Sequence, residues 1–141
     1  MGKKVFIENG NFFYKLVIIV AVSGILLSSC AVTKAIKNRL PAPHKVDGGI
    51  LFMYNNSAAR QVQVCGNFNN WCGTKDTGGI LDLSLGVMKE SDDGTWRLVV
   101  DLPPGRYQYK FVIDRVSWTM DPSNPNTDFE DGFENSLIIV K

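Results

Sequence analysis

In the second half of the chain, apolar and polar residues alternate in short runs, each closed by a cluster of turn-forming residues. The clearest run is 106–114, where Tyr107, Tyr109, Phe111 and Ile113 fall on one side and Gln108, Lys110 and Val112 on the other. In run 95–101, Trp96, Leu98 and Val100 share a side opposite Arg97 and Val99. A period of two places successive side chains on opposite faces of a strand, so each run predicts a strand with one core face. Runs 50–54, 61–65 and 136–140 are also rich in Val, Ile, Leu, Phe and Tyr and predict three more. Between them stand Asn55-Asn56-Ser57, Ser91-Asp92-Asp93-Gly94, Pro103-Pro104-Gly105 and Asp121-Pro122-Ser123-Asn124-Pro125, residues that favour turns. The pattern implies an all-β domain of short antiparallel strands in two face-to-face sheets, a β-sandwich over residues 46–141. Trp96 is assigned to its core. No helix of ordinary length is expected, and 81–88 reads as a weak strand or extended loop, since Leu81, Leu83 and Leu85 repeat at period two with no β-branched residue before Val87.

The first thirty residues follow a different pattern. Lys3, Lys4 and Lys15 precede an uncharged apolar run, 16–27, followed by Ser28, Ser29 and Cys30. Basic, then apolar, then small is the order of a secretory signal. The tetrad Leu27-Ser28-Ser29-Cys30 resembles the lipobox of bacterial lipoproteins, which implies cleavage after residue 29 and lipidation of Cys30. The competing assignment is an uncleaved anchor, because the 18 residues 16–33 carry no charge and lie at the short edge of the ~17 to 25 that cross a bilayer. By either route the folded part faces away from the cytoplasm. Ala31 following the cysteine implies, by the same resemblance, an outer-membrane address with the membrane face open. Residues 31–45, with Lys34, Lys37, Arg39, Pro41, Pro43 and His44 and no strand period, read as a flexible tether.

Composition narrows the chemistry. The chain carries 15 basic and 14 acidic residues, and without residues 1–29 it stays near neutral, so it lacks the basic footprint of a nucleic-acid binder. Its single histidine, His44, falls in the tether, where it has no orienting partner to make it a base or ligand. No nucleophile motif, phosphate loop or paired carboxylates stand out, so no catalytic residue and no cofactor are assigned. The acidic run Asp128, Glu130, Asp131 and Glu134 lacks the spacing of a calcium loop, and no metal is expected. Of the three cysteines, lipidation uses Cys30. Cys65 and Cys72 are then candidates for a disulfide closing the loop between them, the alternative being two separate small residues at the strand end and the loop end.

That loop, Gly66-Asn67-Phe68-Asn69-Asn70-Trp71, is followed by Gly94-Thr95-Trp96, by Leu102-Pro103-Pro104-Gly105-Arg106-Tyr107-Gln108-Tyr109-Lys110-Phe111, and by Trp118, Asp121-Pro122 and Asn135-Ser136. In this order the motifs resemble the family 48 carbohydrate-binding modules, which include the glycogen-binding domain of the AMP-activated protein kinase β subunit and the N-terminal domains of isoamylases and branching enzymes. The resemblance runs from about residue 50 to 141. It implies an immunoglobulin-like early-set sandwich, and a site for α-1,4-linked glucan in which Trp71 and Trp118 are the two tryptophans, Lys110 the lysine and Asn135 the asparagine. Indole faces suit the apolar C–H faces of pyranose rings, and Lys and Asn supply directional bonds to hydroxyls. Two departures stand out: the turn 114–118 is one residue longer than the usual form, and Asp131 occupies the position where kinase-type members place an apolar residue against the sugar, the next contact position being Phe133.

The expected function is therefore non-catalytic binding of an α-glucan by a lipid-anchored protein of the cell envelope. The alternative, favoured by the long turn and by Asp131, is an interaction module that docks an envelope protein through the same sandwich and has lost sugar binding.

Overall fold

A computed structural model describes residues 39–141. Nine strands pair into two antiparallel sheets. The first holds β1 (His44–Val46), β2 (Gly49–Asn55), β4 (Lys89–Glu90) and β5 (Thr95–Val100) in the order β1-β2-β5-β4. The second holds β3 (Val62–Gly66), β6 (Gly105–Ile113), β8 (Thr127–Glu130) and β9 (Phe133–Val140) in the order β3-β6-β9-β8, with β7 (Ser117–Thr119) also paired to β6. The five strands read from alternation are all present, with ends shifted by up to three residues. The structure adds β1, β4, β7 and β8, which have two to four residues each.

The alternation in β6 does what parity requires. Tyr109 and Phe111 are buried between the sheets with Tyr107 and Ile113 packed beside them, against Ile50, Phe52, Val62, Val64 and Trp96. Trp96 is a core residue, 6% exposed, and its indole N–H donates to the Asn56 carbonyl at 2.9 Å. Aromatic edges organise the centre: Phe52 and Tyr109 meet edge to face at 5.0 Å, and Tyr109 and Phe111 at 5.8 Å, a geometry favoured by the ring quadrupoles.

A polar cluster closes one end of this core. The Tyr109 hydroxyl donates to Asp121 at 2.7 Å and accepts from the Asn124 amide at 3.0 Å, while the Ser136 hydroxyl accepts from the Asp121 backbone N–H at 2.8 Å. Burial pushes the Asp121 carboxyl up and, with the Asp121 charge, pushes the Tyr109 phenol far above its usual value, so Tyr109 is a donor at every working pH. Tyr109→Phe is expected to cost about 1 to 2 kcal/mol at neutral pH, because it strips a donor from a buried carboxylate. Without that donor the Asp121 carboxyl rises further. The variant's deficit must then grow as pH rises from the acid range to neutrality, and shrink in acid where Asp121 is protonated. Urea unfolding of both proteins at several pH values checks the sign.

The sequence boundary between tether and domain moves. His44 and Lys45, read as tether, lie in β1, paired with Leu51 and Ile50. This three-residue edge is mostly exposed and pairs through its backbone, so no hydrophobic alternation announces it. The leader, Cys30 and most of the tether lie outside the described residues.

Candidate functional site

The register of the second sheet decides what its outer face carries. Residues directly opposite in an antiparallel pair point to the same face. Cys65 lies opposite Lys110, Val112 opposite Trp118, and Gln108 opposite Leu137, so Lys110, Trp118 and Asn135, two residues before Leu137, share the face turned away from the core. β9 flanks the first half of β6 and β7 its second half, which brings Asn135 and Trp118 onto one side of Lys110.

The loop after β3 brings up the fourth residue. Gly66 leads into a 3-10 turn (Asn67–Asn69), after which Asn70, Trp71 and Cys72 all take left-handed backbone conformations, with φ of 57°, 54° and 53°. That run is unfavourable for Trp and Cys, which have a Cβ to clash, and it persists because the surroundings hold it. The Asn69 carboxamide oxygen accepts from the backbone N–H groups of Gly66 (2.9 Å) and Cys72 (3.1 Å), and its NH2 donates to the Val64 carbonyl at 2.9 Å. The Trp71 N–H donates to the Gly66 carbonyl at 2.7 Å. A disulfide joins Cys65 to Cys72, with both residues fully buried. Of the two readings left open for this pair, the bridged one is realised.

Below the disulfide lies a second, smaller apolar cluster of Cys65, Cys72 and Val112, flanked by Leu81 and Leu85. It fastens the loop that follows Trp71, including helix α1 (Thr74–Thr77), onto the outer face. The segment 81–88 is mainly irregular: Val87 makes one bridge to Gln63, and the Gln63 side chain donates to the carbonyls of Asp82 (3.0 Å) and Leu85 (2.8 Å). At Gly86, with φ of 65°, a Cβ would fall 2.1 Å from the Val64 carbonyl oxygen, so only glycine fits.

Trp71, Lys110, Trp118 and Asn135 come together in one groove of about 470 Å³, lined also by Thr74, Lys75, Glu130, Asp131 and Phe133. The indoles of Trp71 and Trp118 lie 6.4 Å apart, tilted by 46°. Trp118 is 41% exposed. The longer turn before it does not carry it away: Asp114 and Arg115 absorb the extra residue in left-handed conformations, and Ser117 still pairs with Ile113. Lys110 holds its ammonium 5.8 Å from the centre of the exposed Phe133 ring. Asn135 is 3% exposed and forms part of the floor, its NH2 donating to Gln108 Oε1 at 2.7 Å. Gln108 in turn donates to Asp128 at 2.8 Å, on the carboxylate oxygen that Arg106 engages at 2.6 Å. The Arg106 guanidinium holds the Asp128 carboxyl below its usual range.

The groups not anticipated from sequence are Thr74, Lys75 and Glu130, together with the Arg106–Asp128–Gln108 chain that orients Asn135. The acidic run is split by strand parity, Asp128 and Glu130 toward the outer face and Glu134 away from it. Among the described residues no group of His, Cys, Asp and Glu side chains is arranged to hold a metal ion, and no helix is long and apolar enough to cross a membrane.

Residues 50–141 match the family described as the glycogen recognition site of AMP-activated protein kinase. The chain belongs to this family. Human 5'-AMP-activated protein kinase subunit beta-2 is 35% identical over 86 residues, 61% of this chain and 27% of that protein. The chloroplastic PTST homolog 2 of Arabidopsis thaliana is 30% identical over 84 residues, 60% of this chain and 13% of that protein. Rice FLOURY ENDOSPERM 6, also chloroplastic, is 32% identical over 91 residues, 64% of this chain and 15% of that protein. The similarity thus spans about a quarter of the kinase subunit and less of the plant proteins. For this chain it identifies a family member of the non-catalytic, carbohydrate-recognising kind with the early-set sandwich fold.

Proposed function

We propose that the groove binds an α-1,4-linked glucan of the glycogen or maltooligosaccharide type, without catalysis, and that Cys30, lipidated and freed of residues 1–29 by cleavage, anchors the domain to a membrane of the cell envelope. The observation that carries the sugar reading is the meeting of Trp71, Trp118, Lys110 and Asn135, drawn from four separate segments, in one groove. Two indoles provide apolar platforms for pyranose faces. Their 46° tilt supports a chain that curves between successive rings, as α-1,4 linkages make it do, over a flat ribbon. Lys110 donates to hydroxyls, and the floor at Asn135 adds a polar edge. Two stacked rings with a few solvent-competed hydrogen bonds amount to about 4 to 7 kcal/mol, roughly millimolar to ten micromolar affinity. Anchoring many copies on one membrane would raise avidity for a polymer.

Affinity electrophoresis of residues 31–141 in gels containing glycogen or amylopectin tests the reading, with tryptophan fluorescence during titration by maltoheptaose. Retardation with a fluorescence change is expected. A protein that runs unretarded and whose fluorescence ignores the sugar would leave the groove as a docking surface for an envelope protein. Palmitate labelling of the full chain, lost in Cys30→Ser, tests the anchor separately.

A further inference from the structure

One feature of the groove is not needed to stack or hydrogen-bond a neutral sugar. Lys75, on α1, reaches across to the β8–β9 turn, its ammonium 3.8 Å from Asp131 and 4.0 Å from Glu130. All three residues line the groove. Lys75 belongs to the wall built by the disulfide-fastened loop, whereas Glu130 and Asp131 belong to the opposite wall, at a tight turn where Asp131 and Gly132 take φ of 52° and 81°. The ion pairs therefore join the loop that carries Trp71 to the β8–β9 turn.

We propose that Lys75, Glu130 and Asp131 form a strap that closes the groove at this end and makes Lys75 a specificity-determining residue. A linear glucan enters by a chain end, alongside Trp71 and Trp118, up to the strap. A closed ring, which has no end, seats only when Lys75 parts from the carboxylates. The inference rests on the glucan reading of the same site.

The position of the strap makes it weak. The Lys75 and Asp131 side chains are 48% and 78% exposed, and pairs in such surroundings are readily screened and opened. The consequence is unusual for an uncharged ligand: the choice between linear and cyclic sugar depends on ionic strength.

Isothermal titration of the domain with maltoheptaose and with β-cyclodextrin, at about 20 mM and about 500 mM NaCl, tests this for the native sequence, for Lys75→Met, and for the Glu130→Gln/Asp131→Asn pair. The native protein should prefer the linear sugar, and high salt should narrow that preference by about two- to fivefold. Both variants should show the narrowed preference at low salt and respond little to more salt. Equal weakening of linear and cyclic sugar in Lys75→Met would make Lys75 an ordinary hydroxyl donor and overturn the strap. So would a preference that neither salt nor substitution moves. Binding of neither sugar by any of the three proteins would overturn the glucan reading itself, a result distinct from both.

Discussion

Trp71→Ala is expected to weaken binding of maltoheptaose by about 10- to 100-fold while leaving the domain folded. The loss follows from removing an indole face on which a pyranose ring stacks, an apolar contact of roughly 1.5 to 3 kcal/mol. The fold should tolerate it because the side chain of Trp71 is half-buried at the groove, outside both apolar clusters, while the bonds that shape the loop run through its backbone. Its N–H reaches Gly66, and its carbonyl accepts from the Thr74 hydroxyl at 2.9 Å. Alanine keeps both. Calorimetric titration gives the affinity and a thermal melt the stability. An unchanged affinity would place the sugar site elsewhere on the molecule, and a collapsed melting temperature would show that the indole packs the loop. Trp96→Ala is the informative contrast, since that indole is core and its removal should unfold the domain before it touches binding.

How much of this was legible depends on which interaction specifies each part. The sandwich was readable because Tyr107, Tyr109, Phe111 and Ile113 alternate with polar neighbours, and burial of one face imposes that alternation. β4 and β8 were not, because Lys89-Glu90 and Thr127-Asp128-Phe129-Glu130 pair through backbone and bury little. Val112 was placed on the outer face correctly by parity, but parity could not tell that this face is covered. Its burial comes from Cys72, Leu81 and Leu85, residues brought over by a loop with no period of its own. The four groove residues were assigned by resemblance; what unites them physically is the register of β6 with β3, β7 and β9, which depends on pairings distant in sequence. Lys75 has no local signal at all, and its meaning appears only when the wall opposite is known.

The Cys65–Cys72 bridge couples the stability of the domain to the shape of the groove. Replacing both cysteines by alanine should cost about 2 to 3 kcal/mol of stability, the chain-entropy value for so short a loop, and somewhat more because the buried sulfurs also pack the small apolar cluster. The effect on binding should be separable from the effect on folding. With the bridge gone, only hydrogen bonds, those of Asn69 and those of the Trp71 backbone to Gly66 and Thr74, oppose the tendency of Asn70, Trp71 and Cys72 to leave the left-handed region, a conformation that costs roughly 1 to 2 kcal/mol for each residue with a Cβ. The wall carrying Trp71 would then sample conformations in which the indole no longer faces Trp118. A variant that is still folded, with intact far-ultraviolet circular dichroism and a lowered urea midpoint, should therefore bind maltoheptaose several-fold more weakly, because the competent loop conformation is populated for only part of the time. The Lys110 and Asn135 side of the groove should be untouched, since those residues stand on paired strands. If affinity is fully retained at the lowered stability, the hydrogen bonds suffice to hold the loop and the bridge serves the fold alone. If both fall together, the disulfide is what keeps Trp71 in place.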